Sequence, residues 1–150
     1  MPEDKVFMIE ALRQAEEAGR AGEVPVGAVL VKDGEILAVE RNRREELNDA
    51  TAHAELLLLR LAGSLLGGWR LSGCTLYVTL EPCPMCAGAM VLARVDRLIF
   101  GASDSKAGAA GSLYDIVRDR RLNHQIEVTG GVMADNCSTL LRQFFMLRRD

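Results

Sequence analysis

The stretch that decides the fold is TLYVTLEPCPMCAGAMVLARVDRLIFG, residues 75–101. It begins with a near-continuous apolar run over 75–80, which is typical of a strand covered on both faces. Pro82 ends that strand, and the next proline fits the first turn of a helix that we predict over 84–94. Another apolar run follows over 97–101. A strand, a helix and a strand in this order predict a right-handed βαβ unit with parallel strands.

Upstream of this unit, the sequence predicts a helix, a β-hairpin and a second helix. An Asp-Gly dipeptide at 33–34 separates two short apolar runs and is typical of a tight hairpin turn. Thr51 is a suitable N-cap for the second helix, which is rich in leucine and therefore expected to be buried. The predicted bounds are 4–21 and 52–62 for the helices, and 26–31 and 35–40 for the strands.

Downstream of the unit, weaker patterns predict a short helix, a short strand and a C-terminal helix. In the last of these, Leu140, Phe144 and Leu147 share helical spacing and are expected to pack together. The predicted bounds are 113–118, 126–129 and 134–149, in that order. All elements together predict one α/β domain over residues 1–150, a three-layer α/β/α sandwich around a mixed sheet of about five strands.

Composition limits the classes of protein to consider. Lys and Arg total 18 against 21 for Asp and Glu, a net charge of −3, which argues against nonspecific nucleic-acid binding but leaves room for a local basic patch. The first residues lack the apolar core of a signal peptide, and no apolar run reaches the length of a membrane span. Four cysteines, two of them in one C-x-x-C, suit a reducing compartment. We therefore expect a cytoplasmic protein with no membrane partner.

Four residues predict a catalytic zinc site. His53, Cys83 and Cys86 are suited to Zn²⁺ and would leave the fourth tetrahedral position free for water. The spacing of the two cysteines at a helix start lets both sulfurs face one point, where the helix dipole favours thiolates. Glu55 adds a carboxylate two residues after the histidine. The pattern H-x-E…P-C-x-x-C is that of zinc nucleobase deaminases.

The chemistry of deamination needs each of these groups. Zinc lowers the pKa of a bound water from 15.7 to about 7, which supplies hydroxide at neutral pH. The water must lose a proton, a ring nitrogen must gain one, and the departing amine must be protonated. Glu55 can serve all three steps, and such acid–base help contributes roughly 10²–10⁴-fold.

A structural zinc site is the alternative interpretation, and it would be closed by a fourth protein ligand. The spare ligands are Cys74, Cys137 and His124, and none forms a second C-x-x-C or H-x₃-H pair. We therefore favour the open site. Both cysteines are predicted as small buried residues, His124 as solvated or locally hydrogen-bonded, and Glu81 as a charge at a loop or strand end.

Longer stretches resemble the bacterial tRNA-specific adenosine deaminases (the TadA type) of the cytidine-deaminase-like superfamily. The zinc motif alone indicates only the superfamily, and the segment after Gly101 narrows the resemblance. This chain departs from the family at Ala50, a position where members of the family frequently have proline. The matching stretches are EVPVGAV at 23–29, TAHAE at 51–55, LYVTLEPC at 76–83, CAGAM at 86–90 and D-x-K-x-GAAGS at 104–112.

This resemblance implies hydrolytic deamination of the wobble adenosine of a tRNA anticodon to inosine, with one zinc per subunit. It implies that His53, Cys83 and Cys86 hold the zinc and that Glu55 shuttles protons. A homodimer is expected, with an anticodon loop as partner and no DNA. The implied substrate contacts are Asn42, Ala54, Val24, Pro25, Asp104, Lys106 and Phe144, of which Asn42 is otherwise a turn asparagine and Phe144 a core residue.

Two other functions stay open at this point. A deaminase of a free nucleobase or nucleoside, such as guanine or cytosine, would share the zinc site, but the segment 104–112 argues against it. An RNA-binding module with structural zinc would not need Glu55.

A local positive surface for RNA would come from Arg41, Arg43, Arg44, Lys106, Arg118, Arg120 and Arg121.

Overall fold

The computed structural model describes residues 2–148 and places four helices around one mixed sheet. In chain order the elements are α1 (Pro2–Arg20), β1 (Gly27–Lys32), β2 (Glu35–Arg41), α2 (Ala54–Leu66), β3 (Cys74–Leu80), α3 (Pro84–Leu92), β4 (Arg97–Ala102), β5 (Glu127–Thr129) and α4 (Ala134–Leu147). The strand order in the sheet is β2-β1-β3-β4-β5.

The βαβ unit lies at the centre of this sheet. Strands β3 and β4 pair in parallel, with Leu76 opposite Leu98 and Val78 opposite Phe100, as the sequence predicted. Strand β5 extends the sheet in parallel, whereas β1 pairs antiparallel with both β2 and β3. The mixed sheet of five strands is therefore confirmed.

The β1–β2 hairpin turns at Asp33-Gly34. Both residues have positive φ, 51° for Asp33 and 76° for Gly34. Two consecutive left-handed residues are what a type I′ turn requires, and this turn matches the twist of the strands that it joins. The prediction of a tight hairpin is confirmed.

Two apolar cores flank the sheet. One lies between the sheet and helices α2 and α3, and includes the fully buried Leu58 and Met90. The other lies between the opposite face and helices α1 and α4, and includes Met8 and Cys137. Helices on both faces confirm the three-layer α/β/α sandwich.

Three local predictions are wrong. The N-cap of α2 is His53, because the Thr51 hydroxyl instead donates to the Asp49 carboxylate. The region 113–118 forms turns instead of a helix, because its amides bond to earlier loop carbonyls, such as that of Leu113 to Gly108 O. Leu147 does not join the predicted packing, since it is 81% exposed.

Helix α2 also extends beyond its predicted end. It continues through Gly63 to Leu66, and Gly67 (φ 71°) forms a left-handed cap whose N–H donates to Gly63 O. The predicted end of the last helix at Arg149 lies outside the described residues. Within residues 2–148, no helix combines the length and apolarity needed to cross a bilayer.

Helix α1 packs directly on the backbone of β1 at Gly27. A Cβ at this position would lie 2.1 Å from Ala11 O and 2.5 Å from Ala15 N. We expect Gly27→Ala to lower the free energy of unfolding by about 1–3 kcal/mol or more, because the helix must shift away from the sheet. Chemical denaturation would measure the change.

Gly88→Ala is the matched control. Gly88 lies inside α3, and a Cβ there has no neighbour within 4 Å. Alanine in a helix interior is favoured over glycine by about 1 kcal/mol, so this variant should be at least as stable as the original chain. Equal destabilisation by both substitutions would contradict the packing argument.

Candidate active site

A cavity of about 520 Å³ lies where the N-termini of α2 and α3 approach the end of β3. Seven of the predicted site residues line it: Val24, Asn42, His53, Glu55, Cys83, Asp104 and Phe144. The fully buried Cys86 lies within 3.6 Å of the His53 ring. Pro25 is buried, and Lys106 lies on a neighbouring groove beyond Asp104. The fold thus gathers most of the predicted residues around one space.

Three side chains that could hold a metal ion converge next to the cavity. His53 Nδ1 lies 3.5 Å from Cys83 Sγ and 3.6 Å from Cys86 Sγ, and all three ligand atoms lie within 4.8 Å of one another. Bond lengths of about 2.3 Å to sulfur and 2.0–2.1 Å to nitrogen put S and N roughly 3.6 Å apart in a tetrahedral site. The donor set and its spacing therefore fit a zinc ion.

The protonation of the two sulfurs differs. A hydrogen bond from Cys86 lowers the pKa of the Cys83 thiol to about 4, so this sulfur is a thiolate at neutral pH. The same interaction raises the pKa of Cys86. A hydrogen bond with Cys83 also raises the pKa of His53. A thiolate is the form of cysteine that binds metals.

Glu55 lies beside these ligands in the first turn of α2. Its side chain is 4% exposed, and burial raises the pKa of its carboxyl to about 7. A carboxyl with a pKa near the working pH can both accept and donate a proton. The side chain therefore has the property that a proton shuttle needs.

Asn42 connects two segments of the wall. Its Oδ1 accepts a hydrogen bond from Ala54 N at 2.8 Å, and its Nδ2 donates to Val24 O at 3.1 Å. The amide keeps one N–H and one lone pair for a ligand. The Ala54 N–H is already used by Asn42, so the predicted contact of Ala54 with a base stays a prediction.

Phe144 brings an aromatic face to the cavity. Its ring lines the pocket, lies 3.8 Å from the guanidinium carbon of Arg148 and makes an edge contact with Phe145. Its position at the cavity favours the substrate interpretation over the core interpretation. The role itself stays a prediction.

The predicted positive surface is partly neutralised. Arg44 lines the cavity, and it is exposed. Four of the other basic residues form ion pairs within the chain: Arg41 with Glu46, Arg43 with Glu40, Arg118 with Asp115, and Arg121 with Asp119, all at 2.7–2.9 Å.

Glu81 is a charge at a strand end, as predicted, because it immediately follows β3, but the sequence did not predict its burial or its partners. Its side chain is 2% exposed and accepts hydrogen bonds from the loop that carries Asp104. Glu23, also 2% exposed, accepts hydrogen bonds from the amides of Glu45 and Glu46. Both acids lie next to apolar strands, inside the stretches that resemble the tRNA-specific adenosine deaminases. An unpaired buried charge is costly at such a place. This placement could have indicated that both carboxylates accept hydrogen bonds from other parts of the chain.

The comparisons with known proteins agree with this site. The chain matches the MafB19-like deaminase family over residues 2–149 and therefore belongs to that family. It is 51% identical over 145 residues to the tRNA-specific adenosine deaminase of Bacillus subtilis (strain 168), a match that covers 97% of this chain and 90% of that protein.

Two solved structures extend the comparison. One, from a study of A-to-I editing by tRNA deaminases at the wobble position of transfer RNA, is 47% identical with a TM-score of 0.87, covering 90% of this chain and 98% of that chain. The other, a guanine deaminase from Nitrosomonas europaea, is 26% identical with a TM-score of 0.83, covering 93% and 83%. The cytidine-deaminase-like fold is thereby confirmed.

The sulfur geometry makes a prediction about metal binding. We expect Cys86→Ser to lose its bound divalent metal on dialysis while circular dichroism stays that of a folded protein, because the hydroxyl is a poor zinc ligand. Cys74→Ser, at a buried cysteine of β3 outside the cluster, is the control and should keep the metal. Metal retained by the Cys86 variant would contradict the assignment.

The pKa of Glu55 makes a prediction about stability. A folded-state pKa of about 7, above the unfolded value near 4.5, means that stability falls as pH rises between these values. In chelator-treated protein, we expect Glu55→Gln to be more stable than the original chain by roughly 3 kcal/mol at pH 8 and by much less at pH 5. Urea denaturation would measure both, and an equal difference at the two pH values would contradict the shift.

Proposed function

We propose that this chain hydrolyses adenosine to inosine at the wobble position of a tRNA anticodon. The observation that carries the proposal is the buried Glu55 beside the His53, Cys83 and Cys86 cluster in one cavity. The relatives that share the fold at about half sequence identity are tRNA-specific adenosine deaminases. The site supplies the chemistry, and the relatives indicate the substrate.

The three ligands would hold one zinc ion per subunit, through His53 Nδ1 and the two sulfurs. Zinc in this position would lower the pKa of a bound water from 15.7 to about 7. The thiolate at Cys83 is ready for the metal at neutral pH, because its pKa is about 4. The remaining work of the reaction falls to the protein's own groups.

Proton transfer is the proposed task of Glu55. Water adds at C6 of adenine and ammonia leaves, so the water oxygen loses two protons in all, one to N1 and one to the departing amine. Glu55 takes the first proton from the attacking water and passes it to N1. It then takes the second proton from the new C6 hydroxyl and gives it to the amine as the C6–N bond breaks. Its burial in the cavity beside the three ligands lets one carboxyl serve both directions of transfer.

The adenine base would be held by the wall of the cavity. Asn42 has a free N–H and a free lone pair after its contacts with Ala54 and Val24, and an asparagine amide pairs well with a purine edge. Val24 and Pro25 would form an apolar wall. Because an anticodon loop is single-stranded, turning its base into the cavity costs only a few kcal/mol.

The flanking RNA would contact the rim. We assign Asp104 and Lys106 to the ribose–phosphate backbone next to the target, and Phe144 to stacking against a neighbouring base. The exposed Arg44 supplies positive charge at the cavity. The net charge of −3 restricts this attraction to the rim, and we expect no activity on DNA.

The proposed assembly is a homodimer. Its support is an apolar surface along α2, α3 and the segment between α2 and β3, where Leu65, Trp69 and Leu92 are 60%, 60% and 71% exposed. We propose that both subunits contribute to tRNA binding. The proposed location is the cytoplasm, in keeping with four unpaired cysteines in the described chain.

Comparison of substrates tests the proposal directly. Purified protein would be incubated with an anticodon stem-loop carrying a wobble adenosine, with the same sequence as DNA, and with free adenosine, guanine and cytosine. We expect inosine only in the RNA stem-loop, measured by nucleoside mass spectrometry. Turnover of the free compounds without turnover of the stem-loop would replace the proposal with a free-base deaminase.

Removal of the acid tests the shuttle. We expect Glu55→Ala to keep its zinc and its fold and to lower inosine formation by at least roughly 10²–10⁴-fold. The control is Glu35→Ala, at an exposed carboxylate in the β1–β2 hairpin, which should act like the original chain. Unchanged inosine formation in the Glu55 variant would reject the shuttle role.

A further inference from the structure

We propose that Glu81 is a positioning residue whose buried carboxylate holds the loop 104–112 in place as one wall of the active-site cavity. The inference rests on the proposed function in one respect: the wall matters because RNA is expected to bind there. Asp104 and Ala107, which line the cavity, both belong to this loop. Glu81 itself immediately follows β3, on the strand end that leads to the cysteine ligands.

The carboxylate accepts four hydrogen bonds from three residues of the loop. Oε1 accepts from Asp104 N at 3.0 Å and from the Ser112 hydroxyl. Oε2 accepts from Ala110 N and Ser112 N, each at 3.0 Å. The two ends of the loop are therefore tied to a single side chain. Four donors to one buried carboxylate satisfy its charge and fix the loop without any ion pair.

The loop is shaped to fit this carboxylate. A Cβ at Gly108 would lie 2.4 Å from the Glu81 carboxyl carbon, 2.5 Å from its Oε2 and 2.5 Å from Asp104 O. Only a residue without a side chain leaves the loop able to close over Glu81. The Glu81 carboxyl group therefore leaves no room for a side chain at position 108, and the glycine there allows the loop to approach the carboxyl group.

The contact reaches the cavity through Asp104. Its backbone N–H donates to Glu81, and its Oδ1 accepts from the amides of Lys106 and Ala107 at 3.0 and 3.1 Å. Movement of Glu81 would therefore shift Asp104 and Ala107 together. The metal-binding side chains do not belong to this loop, so the expected effect is on substrate binding.

Glu23 holds another loop that lines the cavity in the same way. Its Oε1 accepts a hydrogen bond from Glu45 N at 3.1 Å, and its Oε2 accepts one from Glu46 N at 2.8 Å. Both amides belong to the segment that follows Arg44, which lines the cavity. The two buried acids hold separate loops. Each can therefore serve as the other's matched control.

Glu81→Gln is the test variant, because it keeps the size of the side chain. An amide nitrogen cannot accept a hydrogen bond, so at least one backbone N–H of the loop loses its partner. In the metal-loaded protein we expect amide hydrogen exchange of residues 104–112 to become roughly 10- to 100-fold faster, with residues 43–49 unchanged. Glu23→Gln should give the reverse pattern, and Ser112→Ala a smaller change in the same direction as Glu81→Gln.

Kinetics separate positioning from simple support of the fold. With zinc content unchanged, Glu81→Gln should raise the KM for the anticodon stem-loop about 10-fold and change kcat by less than about 3-fold, because it alters where the substrate binds and leaves Glu55 in place. A purely structural role would reduce the active fraction, which lowers kcat and leaves KM unchanged.

Each result decides one question. Unchanged exchange over 104–112, an unchanged KM, or loss of zinc from Glu81→Gln would overturn the positioning role. If the original chain fails to deaminate the stem-loop, the proposed function fails, and hydrogen exchange still decides whether Glu81 holds the loop. Faster exchange confined to 104–112 together with a raised KM supports the inference.

Discussion

The site depends on two helix N-termini that meet at one point with uncapped ends. His53 is the N-cap of α2 and Cys83 is the N-cap of α3, and neither side chain makes a capping hydrogen bond. Side chains at N-caps normally turn back to bond the first amides of their helix. Here both turn outward toward each other, which gives up some helix stability and brings a ring nitrogen and a sulfur to 3.5 Å.

The sequence was informative where local patterns determine structure. The apolar run of β3, the prolines after it and the Asp33-Gly34 turn each have a local physical cause, so the βαβ unit and the hairpin could be predicted. The clustering of His53, Cys83 and Cys86 could be predicted as well, because the type and spacing of possible metal ligands can be read from the sequence. Thr51 misled the prediction of a cap, since Asp49, two residues earlier, takes its hydroxyl.

Long-range hydrogen bonding is what the sequence did not reveal. Glu81 contacts amides 23 to 31 residues further along the chain, and a backbone amide carries no mark in the sequence. Backbone contacts with the same loop explain the missing helix at 113–118, whose amides bond to the carbonyls of Gly108 and Ala109. Residue type therefore predicted which side chains gather at the candidate site, whereas the contacts that hold the surrounding loops became visible only in the structure.

The order of residues along the chain separates one part of the cavity wall from the cluster of His53, Cys83 and Cys86. The cluster and Glu55 precede residue 87, as do the wall residues Val24 and Asn42, whereas the loop 104–112 and Phe144 come later. The C-terminal third can therefore change its own part of the cavity wall without changing the residues of the cluster. Grafting the later segments between relatives is the corresponding design route.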